Sequence, residues 1–250
     1  MMQRLRRWRE NRIINRSDLG QTEWADLCHG FRVLARLSAE DRERLRRLAI
    51  LFLHDKHIVG VGDAEPDRYM KLVIAAQACL PILNLGLDWY RGWHTVMVYP
   101  GAFVARHDYM DESGVVHEQL ALEGGEAWDD GPVILAWDEI AHTRDGGNLV
   151  IHEFAHKLDA VNGVTNGMPP LHPEMDRTEW TRVFTRAWED FSARVDAGEP
   201  VPIDPYAAEA PAEFFAVLSE TFFEDPGQLR QFYPGVYEQL RQFYRWEPLA

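Results

Sequence analysis

Apolar residues recur along the chain first with a helical period, then with a strand period, then with a helical period again. Leu45, Leu48, Ala49, Phe52 and Leu53 fall on one helical stripe and predict a helix from Ser38 to about Asp55. Ser38 offers an N-cap oxygen, and Glu40 and Asp41 place negative charge in the first turn, where the helix dipole favours it. Residues 67–80 predict a second, largely buried helix that stops before Pro81. Three β-type runs follow: Thr95 to Tyr99, closed by Pro100-Gly101; Val115 to Leu122, closed by Gly124-Gly125; and Pro132 to Trp137, after Asp129-Asp130-Gly131. Their spacing predicts a small, largely antiparallel sheet. Helical spacing returns over Asn148–Asp159, 176–196, Pro211–Phe223 and about 234–244, with a Gly-, Asn- and Pro-rich loop near 162–174. The expected class is α+β, mainly helical with a small sheet.

Composition sharpens this reading. Of 250 residues, 46% are hydrophobic and 12% aromatic, enough to bury a full core. No Pro/Ser-rich linker divides the chain. One domain is expected over residues 31–250, behind a basic, loosely ordered extension at residues 1–30. The net charge of −14 argues against nucleic acid as a partner, because phosphate contacts need a basic face. That charge is unevenly spread. Residues 1–16 carry six Arg against one acid, a net of +5, which leaves −19 for the rest. The segment 105–165 holds thirteen acids and three bases, which suits a cleft that attracts cations. Two cysteines, Cys28 and Cys79, exclude a disulfide framework and a four-cysteine zinc site. No apolar run reaches the roughly 18 residues of a membrane span, so no membrane partner is expected. The Arg-rich start is followed by no signal-type apolar region. A soluble, cytoplasmic protein is the expectation.

His152-Glu153-Phe154-Ala155-His156 carries the chemistry. On a helix, positions i and i+4 share a face, so both imidazoles can reach one Zn²⁺. Glu153, beside the first ligand, can take a proton from an activated water. Leu149, Val150, Ile151, Phe154, Ala155 and Leu158 surround the polar triplet. Two His and a Glu in such an apolar stretch cost several kcal/mol unless something satisfies them, and a metal does so. A catalytic zinc usually takes three protein ligands. A third histidine at the metzincin spacing is excluded, because Asp159 and Asn162 stand where the Gly and His would be. Glu213 and Glu220, acids within the apolar helix after Pro211, are the candidates for the third ligand. The other one, or Asp159, would support a ligating histidine from behind.

Longer segments resemble a known family, the Mlc titration factor A peptidases. They include Leu80 to Leu83 with Gly86 to Trp89, Val98-Tyr99-Pro100 with Phe103-Val104, and Gly131 to Leu135. They continue through Asn148 to Asp159, Asp204 to Ala208 and Pro211 to Glu220. The resemblance spans roughly residues 35–248, and the Arg-rich residues 1–30 depart from it. It implies a zincin-like, zinc-dependent aminopeptidase of the gluzincin type, with a core similar to that of anthrax lethal factor. It implies His152, His156 and Glu213 as zinc ligands and Glu153 as general base. Tyr206, in the matching Tyr-Ala-Ala stretch, is implied as a hydrogen-bond donor to the tetrahedral intermediate. The expected partner is a peptide substrate, held against the strand at 132–137, with its terminal amine captured by an acid of the middle segment. The resemblance also raises binding of a transcriptional repressor, the glucose repressor Mlc. The alternative function is therefore a regulatory protein that sequesters such a repressor, with zinc mainly structural.

Overall fold

The computed structural model describes residues 2–110, 116–128, 131–142 and 147–249, with the backbone alone at 2–3, 104–110, 116–123 and 142. Helices α1 (Met2–Arg16), α2 (Gln21–His29) and α3 (Arg32–Ala35) open it. Next come α4 (Ala39–Asp55), capped by the Ser38 hydroxyl on the Asp41 N–H, strand β1 (His57–Gly60), and α5 (Arg68–Cys79), capped by Asp67. The strand region holds β2 (Thr95–Tyr99), β3 (Phe103–Met110), β4 (Val116–Glu123), β5 (Gly125–Ala127) and β6 (Val133–Ala136). Helices α6 (Trp137–His142), α7 (Leu149–Asp159), α8 (Arg177–Asp196), α9 (Pro211–Glu224), α10 (Pro226–Phe232) and α11 (Pro234–Tyr244) complete it. The mainly helical α+β architecture agrees with the pattern.

Strand direction differs from the expectation. The four-stranded sheet has the order β1-β2-β6-β5. β1 pairs with β2 and β2 with β6 in parallel, and only β5 runs antiparallel to β6. β3 and β4 form a separate antiparallel hairpin. The sheet is therefore mixed, not largely antiparallel. The reason is connectivity: α5 crosses between β1 and β2, and the hairpin intervenes between β2 and β6. Such long crossovers permit parallel pairing, whatever the apolar spacing of each strand. Strand β6 is also internal, so the run 132–137 offers no free edge. The edge on that side is β5, a three-residue strand with no apolar alternation to announce it, and β1 forms the opposite edge.

The expected loose extension at residues 1–30 instead forms α1 and α2. Ile14, Leu19, Trp24, Leu27 and Cys28 join the same buried cluster as the rest of the core. The Trp24 indole donates to the Arg42 carbonyl at 3.0 Å. The arginines of α1 face outward, where Arg6 pairs with Asp88 and Glu10. Helix formation here follows from docking onto α4, since only a few apolar positions of α1 mark an inner face.

Three elements make the centre of the core. Every residue of α5 from Leu72 to Cys79, of α7 from Val150 to Asp159, and of α9 from Phe214 to Phe223 is buried. Helix α7 packs against α5, α9, β5 and β6. Phe154 on α7 sits in an aromatic cluster with Phe52, Tyr90 and Trp93, with ring centroids 5.1 to 5.7 Å from its own. A helix so enclosed has little freedom to shift, and that rigidity suits a site built on it.

Candidate metal centre

Asn148 starts α7 by accepting the Ile151 N–H at 3.1 Å. One turn later His152 and His156 project from the same face, their Nε2 atoms 3.2 Å apart. The first turn of α9, begun by Pro211, brings Glu213 to them. Its Oε2 lies 3.0 Å from His152 Nε2 and 3.3 Å from His156 Nε2. A tetrahedral zinc with ligands at 2.0–2.1 Å needs its donor atoms about 3.3 Å apart. The two imidazole nitrogens and the carboxylate oxygen therefore converge as a zinc ligand set must. Two nitrogens and one anionic oxygen are also the donors zinc prefers.

Electrostatics favour positive charge at this point. Burial opposes a charge on His152, but hydrogen bonds with Glu213 and Glu220 outweigh it and raise its imidazole well above the ordinary value. Burial likewise opposes ionisation of Glu213, yet the two imidazoles hold its carboxyl well below the usual range. A cation held between them satisfies the same three groups.

The two acids that compete as third ligand take different positions. Glu220 lies behind His152, not beside the convergence point. Its Oε1 is 2.7 Å from His152 Nδ1, and its Oε2 accepts the Asn148 N–H at 2.6 Å. With Nδ1 donating to Glu220, the Nε2 lone pair of His152 is turned toward Glu213 and His156. Glu220 thus orients the histidine and ties the start of α7 to α9. Asp159 makes no such bond to His156. Its Oδ2 accepts the Gly167 N–H at 2.6 Å, and its Oδ1 and the His156 Nδ1 are both buried without a hydrogen-bond partner among the described residues. Gly167, at φ +80°, packs so close to α9 that a Cβ would come 2.4 Å from the Pro211 carbonyl. Asp159 therefore clamps the loop after α7 onto the start of α9, where Glu213 sits.

Glu153 is 4% exposed and its carboxyl is pushed up to about 7 by burial. His152 and His156 pull it down, while Glu213 and Glu220 push it up. Above it runs the edge strand β5, with the backbone of Gly125 against the carboxylate. The Tyr206 ring lies beside the centre, its centroid 6.0 Å from that of His152. It stands in a 3-10 turn, Pro205–Ala208, capped by Asp204 on the Tyr206 N–H at 3.0 Å. Lys157, also buried, donates to the Trp128 carbonyl at 2.6 Å and the Gly131 carbonyl at 3.2 Å, fastening α7 to the turn between β5 and β6. Of the acids expected to capture a substrate amine, those in 104–123 lie outside the described side chains.

Sequence reasoning missed Asn148, Lys157, Gly125 and Gly167. The Gly124-Gly125 pair reads as a turn, and nothing local announces that Gly125 would touch Glu153.

A mainly helical α+β fold with two histidines and a glutamate converging beside a buried acid defines a metallopeptidase-like protein. The chain belongs to the glucose-regulated metallo-peptidase M90 family, whose model matches residues 5–245. It is 38% identical over 245 residues to Mlc titration factor A of Salmonella arizonae, covering 96% of each chain. It is 39% identical over 222 residues to Mlc titration factor A of Klebsiella pneumoniae, covering 87% of this chain and 84% of that one. An uncharacterized protein of Synechocystis is 38% identical over 247 residues, 97% of this chain and 90% of its own. The family match takes in the basic start, which the resemblance read from residue 35 onward had left out.

Proposed function

We propose that the chain is a zinc-dependent peptidase acting on the amino end of peptides. The observation that carries this reading is the convergence of His152, His156 and Glu213 beside the buried carboxyl of Glu153. His152, His156 and Glu213 hold the metal. When bound, zinc supplies Lewis-acid polarisation to a substrate carbonyl and to a water molecule. Glu153 accepts a proton from the attacking water and returns it to the leaving amine. Its raised pKa suits both halves of that task, because a base near neutrality can also act as the acid. Tyr206 donates a hydrogen bond to the developing oxyanion. The free edge of β5 pairs with the extended substrate and lays it across Glu153. Among the described residues no helix is long and apolar enough to cross a membrane. The buried free thiols of Cys28 and Cys79 suit the reducing cytoplasm, where we place the protein.

The test is metal analysis together with the Glu153→Ala variant on chromogenic aminoacyl substrates. We expect about one zinc per chain in both proteins and lost turnover in the variant. Unchanged turnover would remove Glu153 from the mechanism. The name of the relatives, Mlc titration factor A, supports a second reading in which the chain binds a transcriptional repressor. Repressor binding that survives Glu153→Ala would separate that role from catalysis.

A further inference from the structure

The Arg-rich start of the chain takes no part in the metal centre, yet it lines a site of its own. A cavity of about 690 Å³ lies where α1 and the turn after it meet the end of α4 and the start of α5. Its size is that of a site for a small organic molecule. The floor is apolar, made by Ile13, Leu19, Ile50, Leu53 and Leu72. The rim is basic. Arg9, Arg12 and Arg16 fall on one face of α1 at helical spacing, and Lys71 lines the same cavity from α5. Lys71 also belongs to the first turn of α5, the positive end of that helix dipole.

The pairing of these cations supplies an independent observation. The acid of the cavity, Asp18, is committed to Arg68 at 2.9 Å, and Glu23 holds the same guanidinium at 2.6 Å. The acid of α1 itself, Glu10, is taken by Arg6 at 2.7 Å. Arg9, Arg16 and Lys71 make no ion pair or hydrogen bond among the described residues, and Arg12 only lies over the Trp8 ring, 5.5 Å from its centroid. In a chain with 40 acids against 26 bases, cations left over around one apolar-floored cavity are out of keeping with the surface as a whole. Ser17 adds a donor. Its Oγ accepts the Leu19 N–H at 3.2 Å, which leaves its own O–H to donate into the cavity it lines.

We propose that this cavity binds a free organic phosphate monoester with an apolar stem. The phosphate sits among Arg9, Arg12, Arg16 and Lys71, and the stem lies on the floor at Ile13 and Leu53. A phosphate monoester carries about two negative charges and three acceptor oxygens, which match several guanidinium forks better than a single carboxylate does. The neighbouring surface decides between a small molecule and a broad anionic one. Beyond Leu72 it carries Glu23, Asp26 and Asp67. A membrane or a nucleic acid would meet those acids, whereas a small ligand avoids them. The site does not require the chain to cleave peptides.

Calorimetry on the full chain tests it with hexyl phosphate, with 1-hexanol, which lacks the charge, and with inorganic phosphate, which lacks the stem. We expect saturable binding of hexyl phosphate, at least tenfold tighter than either of the others. Arg12→Gln and Lys71→Gln should each weaken it severalfold and together tenfold or more, with circular dichroism unchanged. Both side chains reach the surface, so neither substitution removes a packed group from the core. Arg7→Gln, on α1 but outside the cavity lining, should bind as the parent does. An equal loss in Arg7→Gln would reduce the effect to general charge and overturn the proposal. So would inorganic phosphate binding as tightly as hexyl phosphate, or an affinity left intact by Arg12→Gln with Lys71→Gln, which would put the anion elsewhere, the metal centre included. Sedimentation with phosphatidylcholine vesicles containing phosphatidic acid provides the last arm. Capture by those vesicles without binding of hexyl phosphate would replace the free ligand with a membrane surface. Because the readout is heat of binding at residues remote from His152, failure here is distinct from failure of the peptidase reading.

Discussion

Gly125 of the edge strand touches Glu153 of α7 so closely that no side chain fits between them. A Cβ on Gly125 would stand 2.4 Å from the Glu153 Oε1 and 2.8 Å from its Cγ. The edge strand therefore confines the Glu153 carboxylate from one side, and in the proposed function it is the same strand that would hold the substrate.

Gly125→Ala must displace either Glu153 or β5. A misplacement of about 1 Å in a catalytic group costs on the order of 100-fold in rate. We expect kcat/KM on aminoacyl substrates to fall by about that much while metal content stays near one per chain. Full activity in the alanine variant would mean that Glu153 tolerates the shift and is not the base.

Glu213 and Glu220 should respond differently to substitution. Glu213→Ala removes a donor atom and should leave the chain without stable zinc. Glu220→Gln keeps the ligand set and loosens only the orientation of His152, for a loss of about 10- to 100-fold in affinity. Competition with a chelating dye measures both. If Glu220→Gln strips the metal and Glu213→Ala retains it, the roles are reversed.

The base must be ionised to act, so activity should fall as pH drops through the pKa of Glu153. Burial sets that carboxyl at about 7, against an ordinary 4.5, and a bound cation pulls it down. The acidic limb of the kcat/KM profile should therefore lie between these two values. A profile that is flat down to pH 4.5 would contradict the assignment.

Asp159 makes a separate prediction about stability. Burial raises its carboxyl to about 6 from 3.8, with the Gly167 N–H and His156 pulling the other way. The folded state therefore holds this proton more tightly than the unfolded chain. The associated stability is present in full below about pH 4 and is lost as pH rises through 6. At neutral pH the cost is on the order of 3 kcal/mol. Asp159→Asn escapes that titration, so its stability relative to the parent should improve between pH 4 and pH 7.5. Urea denaturation of both proteins at the two pH values measures the difference, and parallel pH dependences would refute it.

The helices were legible wherever a stripe and a cap agreed, as in α4 with Ser38 and α9 with Pro211. The pairing of His152 with His156 was legible too, since four residues make one turn of any α-helix. The third donor was legible only through the family resemblance, which implies Glu213, because Glu213 and Glu220 both interrupt the same apolar helix. Local pattern offered no way to choose between them. Their separation rests on how α9 crosses α7, which places the first turn of α9 at the Nε2 side of His152 and the third at its Nδ1 side.

Strand direction, the docking of α1 and the closeness of Gly125 to Glu153 were hidden for the same reason. Periodicity says which face of an element is apolar, but not which neighbour covers it. The helix α7, its glutamate and the shared face of its two histidines follow from spacing along the chain. The meeting of Glu213, 61 residues away, with His152 Nε2, and of Glu220, 68 residues away, with His152 Nδ1, is decided by packing. Hydrogen-bond geometry acts over about 3 Å, and only the folded core brings residues so far apart in the chain within that distance.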